Sequence, residues 1–131
     1  MKILHVEDNR QTLDIVKRIL SRFYTVDNAE NAETAISKVN ETEYDLLIVD
    51  IHLGKGMNGI ELIQEIKKLK GYEHVPCLAL TAYASERDRE YLLSEGFTYF
   101  LAKPFSMNEL VDKIKEIEKC SKNVIENNRQ Y

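Results

Sequence analysis

Long apolar runs are absent from this chain of 131 residues; stretches such as Leu46-Leu47-Ile48-Val49 end within a few residues at a polar one. A membrane-spanning helix needs about 20 apolar residues, so none is expected. Excess positive charge is also missing, with 18 Lys and Arg against 22 Asp and Glu and a net charge of -4. Direct nucleic-acid binding by this domain is therefore not expected. Cysteine is scarce: Cys77 lies inside an apolar run and Cys120 near the C-terminus. Two such residues read as reduced thiols rather than a disulfide framework, with Cys77 as core filler. The three histidines are scattered without metal-ligand spacing, and His5, in the first apolar run, reads as a satisfied structural residue. Only five glycines and two prolines occur, and 44% of residues are hydrophobic against 31% charged. That is an ordinary globular composition, neither disordered nor fibrous.

What is present fits a single domain with one substantial core. The first residues, Met1-Lys2-Ile3-Leu4-His5-Val6-Glu7-Asp8, turn acidic before a signal-peptide core can form, which predicts a cytoplasmic protein without membrane attachment. Met1 directly before the first strand favours a natural N-terminus. Short apolar runs then alternate with amphipathic segments. Strands are predicted at 2–6, 24–28, 45–50, 77–81 and 98–102. Leu13, Val16, Leu20 and Phe23 recur at helical spacing across 9–23, and Ala32, Ala35, Ile36 and Val39 form the next stripe. A third helix carries Leu62, Ile63, Ile66 and Leu69, a weaker one near 85–94 has Tyr91 and Leu92, and the last spans 106–119. The polar tail 121–131 is expected to fray or lightly extend that helix, leaving 1–120 as the domain.

Five strands alternating with five helices predict an α/β, doubly wound (βα)5 fold with a parallel sheet and right-handed crossovers. The near-continuous apolar strands suit burial on both faces, and the alternating second strand suits an edge. Such sheets bind ligands outside the carboxyl ends of their strands. Five polar residues fall there: Glu7 and Asp8 after the first strand, Asp50 at the end of the third, Thr81 at the end of the fourth, and Lys103 after the fifth.

Three carboxylates at neighbouring strand ends repel unless neutralised, and a hard divalent cation with oxygen ligands, Mg²⁺, is the usual solution. Asp8 and Asp50 are candidate direct ligands, with Glu7 direct or acting through a water. Taken alone, Glu7-Asp8 also reads as a helix N-terminus signal. A carboxylate beside Mg²⁺ can attack phosphorus and form an acyl phosphate. Lys103 offers a compact positive charge for one phosphoryl oxygen, and Thr81 a hydroxyl donor for another. Alone, Thr81 reads as a turn or cap residue and Lys103 as a solvated lysine. Pro104 argues against the latter, since a Lys-Pro bond can be cis and so fix where the lysine points.

Over roughly residues 1–120 the chain resembles the receiver domains of two-component response regulators. The matching motifs are Val6-Glu7-Asp8-Asn9, Leu47-Ile48-Val49-Asp50-Ile51, Leu80-Thr81-Ala82 and Phe100-Leu101-Ala102-Lys103-Pro104-Phe105. The resemblance implies a flavodoxin-like sheet of order 2-1-3-4-5. It makes Asp50 the phosphoacceptor, fed by a histidine kinase or histidine phosphotransfer protein. Mg²⁺ would be held by Asp8, Asp50 and the backbone carbonyl of His52, with Glu7 completing the acidic pair. Lys103, Thr81 and the backbone of Ala82 would hold the phosphoryl group. Thr81 would swing towards it and let the switch residue Phe100 change rotamer. A downstream protein would read the face made by the fourth helix, fifth strand and fifth helix. His52 and Tyr83 occupy places that border the phosphate and can alter its lifetime.

Two departures stand out. Where the family often has proline four residues after the acceptor, this chain has Gly54, and its usual glycine eight residues on arrives one later, as Gly59. The loop Gly54–Gly59 is therefore expected to take a different path. The switch aromatic is Phe100, which without a hydroxyl would signal by packing alone.

The same loop matches G-x-G-x-x-G, but Thr81 ends the next strand where a ribose-binding acid would stand, and Asp50 would face a pyrophosphate. The glycines read as turn residues. A haloacid-dehalogenase-type phosphatase would need a second aspartate two residues after the first, as general acid, where this chain has His52. A degenerate receiver acting only as a binding module would lack Asp50, Lys103 or the acidic pair, and all are present. The expectation is a phosphorylation switch rather than a turnover enzyme.

Overall fold

The computed structural model describes residues 1–54 and 56–129, with side chains to Cys120. The strands are β1 (Lys2–Val6), β2 (Thr25–Ala29), β3 (Leu46–Asp50), β4 (Cys77–Thr81) and β5 (Tyr99–Ala102). They alternate with α1 (Arg10–Leu20), α2 (Ala32–Glu41), α3 (Gly59–Lys67), α4 (Glu86–Ser94) and α5 (Met107–Arg129). All pairings are parallel and the sheet order is β2-β1-β3-β4-β5, the predicted doubly wound, flavodoxin-like arrangement.

Every residue of β3 and β4 is buried, as strands covered on both faces require. The alternating segment became the edge strand β2, with Val26 and Ala29 buried and Thr25 exposed. On one face, Val16 and Leu20 of α1 and Leu110, Ile114 and Ile117 of α5 pack over Ile3, Leu46, Ile48, Leu78 and Leu80. The other face carries α2, α3 and α4 over Leu4, Leu47, Val49 and Ala79. Cys77 is buried in that second cluster, and burial pushes its thiol up to about 12, as core filler should be.

Some helix ends differ from expectation. Helix α1 stops at Leu20 because the next residues close tight turns, Arg22 N–H to Ile19 O and Phe23 N–H to Leu20 O. Phe23 thereby leaves the apolar stripe and stands 55% exposed. In α4 only Leu92 is buried, and Tyr91 faces solvent. The last helix runs ten residues past its predicted end at 119, through most of the polar tail to Arg129. Gln130 and Tyr131 lie outside the described residues, as does Lys55 in the glycine loop. No helix among the described residues is long and apolar enough to cross a membrane.

Candidate functional site

The strand ends bring the predicted residues together. Asp50 closes β3, Thr81 closes β4, and both are buried. Glu7 and Asp8 leave β1 with Glu7 pinned by its N–H to Ala29 O at 3.0 Å. The residue that caps α1 is Asn9, whose Oδ1 accepts the Thr12 N–H at 3.0 Å, and no acid occupies the helix's first turn. The acidic pair therefore stands outside α1 and is free to face Asp50. One carboxylate oxygen from each of Glu7, Asp8 and Asp50 lies within 4.8 Å of the others.

Lys103, one residue past β5, reaches back across β4 to place Nζ 2.9 Å from Asp50 Oδ2. The alternative of a solvated surface lysine is thus excluded, as Pro104 suggested: the side chain is about two-thirds covered and its ammonium is paired. The Lys103–Pro104 bond is cis. The other Asp50 oxygen, Oδ1, accepts the His52 N–H at 3.0 Å. Asp50 is held at both oxygens with 4% of its side chain exposed.

Among the described residues Lys103 pairs with Asp50 alone of the three carboxylates, and Glu7 shows the imbalance. Its Oε2 is buried without a partner among the described residues, while Oε1 accepts the Asn9 N–H at 3.3 Å. Burial, then the neighbouring Asp50 carboxylate, pushes the Glu7 carboxyl up to about 8. An orphaned buried oxygen beside two further carboxylates is the all-oxygen donor set that fits a hard cation such as Mg²⁺.

Thr81 is in the turn that its residue type also predicted. Its Oγ1 accepts the Tyr83 N–H at 3.0 Å and lies 3.2 Å from Tyr83 O. The cap of α4 is Ser85 instead. Ala82 and Tyr83 are exposed, and the Tyr83 ring meets His52 edge-on at 5.5 Å between centroids. Phe100 is half-buried against the core on the α4 side of the sheet.

Two features were not foreseen. His5 is buried, but both ring nitrogens lack a partner among the described residues, so it is structural without being satisfied. Burial brings its pKa down to about 4. A polar residue inside an apolar strand was the available signal. The second is how closely Gly59 approaches the acceptor. A Cβ there would lie 2.5 Å from the backbone oxygen of Asp50, and its N–H donates to Ile51 O at 3.1 Å. The extra loop residue is thus taken up before Gly59, and the glycine is needed where the chain folds back on the acceptor.

A family model for the response regulator receiver domain matches residues 3–115. The chain is 36% identical over 117 residues to a 14.6 kDa protein of Leptolyngbya boryana, covering 88% of each. It is 34% identical over 117 residues to the transcriptional regulatory protein ResD of Bacillus subtilis, covering 88% of this chain and 47% of ResD, about half the regulator's length. The solved chemotaxis response regulator CheY4 of Vibrio cholerae superposes with a TM-score of 0.83 at 26% identity, covering 88% of this chain and 97% of that one. On the family model, the relatives and the shared fold, this chain belongs to the response regulator receiver domain family, the phosphorylation-activated switch of two-component signalling.

Proposed function

We propose that Asp50 is the phosphoacceptor, and that this chain takes a phosphoryl group from a phosphohistidine on a histidine kinase or phosphotransfer protein in the cytoplasm. The observation that carries the reading is the buried Asp50 carboxylate, ion-paired to Lys103 at 2.9 Å and clustered with Glu7 and Asp8 within 4.8 Å. An Asp50 oxygen attacks phosphorus, the donor's P–N bond breaks, and an acyl phosphate forms. Little covalent help is needed; position and neutralised oxygens matter most. Asp8, Asp50, the His52 carbonyl and Glu7, directly or through water, would hold Mg²⁺, which neutralises charge on the phosphoryl oxygens. Lys103 shifts from Asp50 to a phosphoryl oxygen, and the Ala82 N–H donates to another.

The phosphoryl group also competes for the Thr81 hydroxyl, which in this state bonds the Tyr83 backbone. Movement of Thr81 frees space for Phe100 to repack, and α4, β5 and α5 present the result to a downstream protein. Phe100 signals by packing, with no hydroxyl to anchor. The His52–Tyr83 ring pair borders the pocket and sets how readily water reaches the acyl phosphate, so autodephosphorylation belongs to the same site.

The test is mass spectrometry after incubation with Mg²⁺ and a small acyl-phosphate donor. A phosphate-sized gain is expected, absent in Asp50→Asn and with a chelator. A gain that survives Asp50→Asn, or none at all in the native chain, overturns the assignment.

A further inference from the structure

We propose that Gly54 is a positioning residue for the metal pocket: its missing side chain leaves the space in which the Asp8 carboxylate stands beside Asp50. The inference rests on the reading of Asp8 as a metal ligand.

The β3–α3 loop returns from Asp50 towards the end of β1, and Gly54 is the point where it meets Asp8. A Cβ at Gly54 would sit 3.0 Å from Asp8 Oδ2, closer than carbon and carboxylate oxygen normally approach, and 3.9 Å from Asp8 Cγ. Gly54 also has φ +31, which a proline ring, fixed near -65°, cannot adopt. A proline at this place is thus incompatible with this loop path. Asp8 is exposed, unlike Glu7 and Asp50, so it can yield to an added methyl by turning into solvent. Such a turn costs the fold little and takes one carboxylate out of a cluster only 4.8 Å wide.

Gly56 separates contact from backbone strain. It lies in the same loop with φ +89, and a Cβ there would meet nothing within 4 Å. Both glycines resist substitution on conformational grounds, but only Gly54 touches the site.

The experiment is a calorimetric Mg²⁺ titration of the unphosphorylated chain, with melting temperatures taken in chelator. Gly54→Ala is expected to weaken Mg²⁺ binding about tenfold, in the range found for residues that orient metal ligands. Gly56→Ala should leave the affinity unchanged while lowering the melting temperature comparably. Gly54→Asn, which tolerates positive φ better, should weaken Mg²⁺ binding as well and covers the case in which the alanine variant does not fold. Native affinity in both Gly54 variants, or an equal loss in Gly56→Ala, overturns the proposal. Absence in the native chain of a saturable Mg²⁺ response that Asp8→Asn removes would instead overturn the metal-pocket reading, and the role of Gly54 with it.

Discussion

The two ends of this sheet treat polar groups in opposite ways. Around the amino ends of the strands, polar groups are matched. Lys2 N–H donates to Asp45 Oδ2 at 2.7 Å, and the Tyr44 hydroxyl to Asp27 Oδ2 at 2.6 Å. The Tyr72 hydroxyl donates to Thr42 O at 2.9 Å while accepting the buried Tyr44 N–H at 3.1 Å. At the carboxyl ends, three acids cluster while Lys103 pairs with Asp50 alone, and a buried Glu7 oxygen has no partner among the described residues. One end is arranged for stability. The other keeps a local conflict that a cation and a phosphoryl group would resolve, which is where departures from consistent design are expected.

If the ends divide labour in this way, substitutions should separate function from stability. The largest effect is expected for Lys103→Met. Losing the ammonium that neutralises a phosphoryl oxygen should slow uptake from an acyl-phosphate donor on the order of 10²-fold. In chelator stability should fall as well, because the Asp50 carboxylate left unpaired is only 4% exposed, and Mg²⁺ should restore most of that loss. Stopped uptake assays and denaturant melts on the same preparation check both halves. A large stability loss with normal uptake would reverse the assignment of this end.

Glu7 gives the next largest effect, and its sign is definite. Its folded pKa, about 8, lies above the ordinary 4.5. The associated stability is therefore fully present below about 4.5 and lost as pH rises through about 8. In chelator, the native chain should lose on the order of 2 kcal/mol between pH 6 and 8 relative to Glu7→Gln. Mg²⁺ should cancel most of that difference, since a cation in the cluster neutralises the Glu7 carboxylate in place of a proton. Parallel pH profiles for the two proteins would show that Glu7 is not strained.

Tyr72→Phe probes the opposite end. It removes the acceptor of a buried N–H and the donor to Thr42 O, which should cost about 1.5 kcal/mol. Acyl phosphate formation should be unaffected. Slower uptake in this variant, at a temperature where it is fully folded, would mean that the two ends are coupled rather than separate.

How much of this could be read beforehand follows the same division. The parallel sheet, the edge position of β2 and the convergence of Glu7, Asp8, Asp50, Thr81 and Lys103 follow from where apolar runs end, because that pattern is local and the parallel sheet collects its strand ends on one side, whereas the full strand order came from the family resemblance. What escaped prediction is set by tertiary contact. Gly59 is recognisable as a turn glycine, but its 2.5 Å approach to Asp50 O depends on how the loop folds back. Phe23 fits the helical period and still stands in solvent, because α1 ends three residues earlier. The reach of Lys103 over β4 is equally invisible in a linear chain.

His5 shows how far the conflict at the carboxyl end extends into the core, and at pH 7 it carries the smallest expected effect. It sits two residues before Glu7 and on the same side of β1, at 0% exposure, with neither ring nitrogen bonded among the described residues. Its folded pKa, about 4, is below the ordinary 6.5 because burial disfavours the charged ring. A group shifted in this direction contributes stability above about 6.5 and loses it as pH falls through about 4. Leucine has a similar volume and no polar atoms to leave unpaired. His5→Leu should therefore stabilise the metal-free chain by about 1 kcal/mol at pH 7 and by more at pH 5. Denaturant melts at the two pH values measure this directly. If the substitution destabilises the chain at pH 7, the ring has partners that matter to folding, and the boundary between the matched and the conflicted parts of the sheet lies nearer the rim than His5.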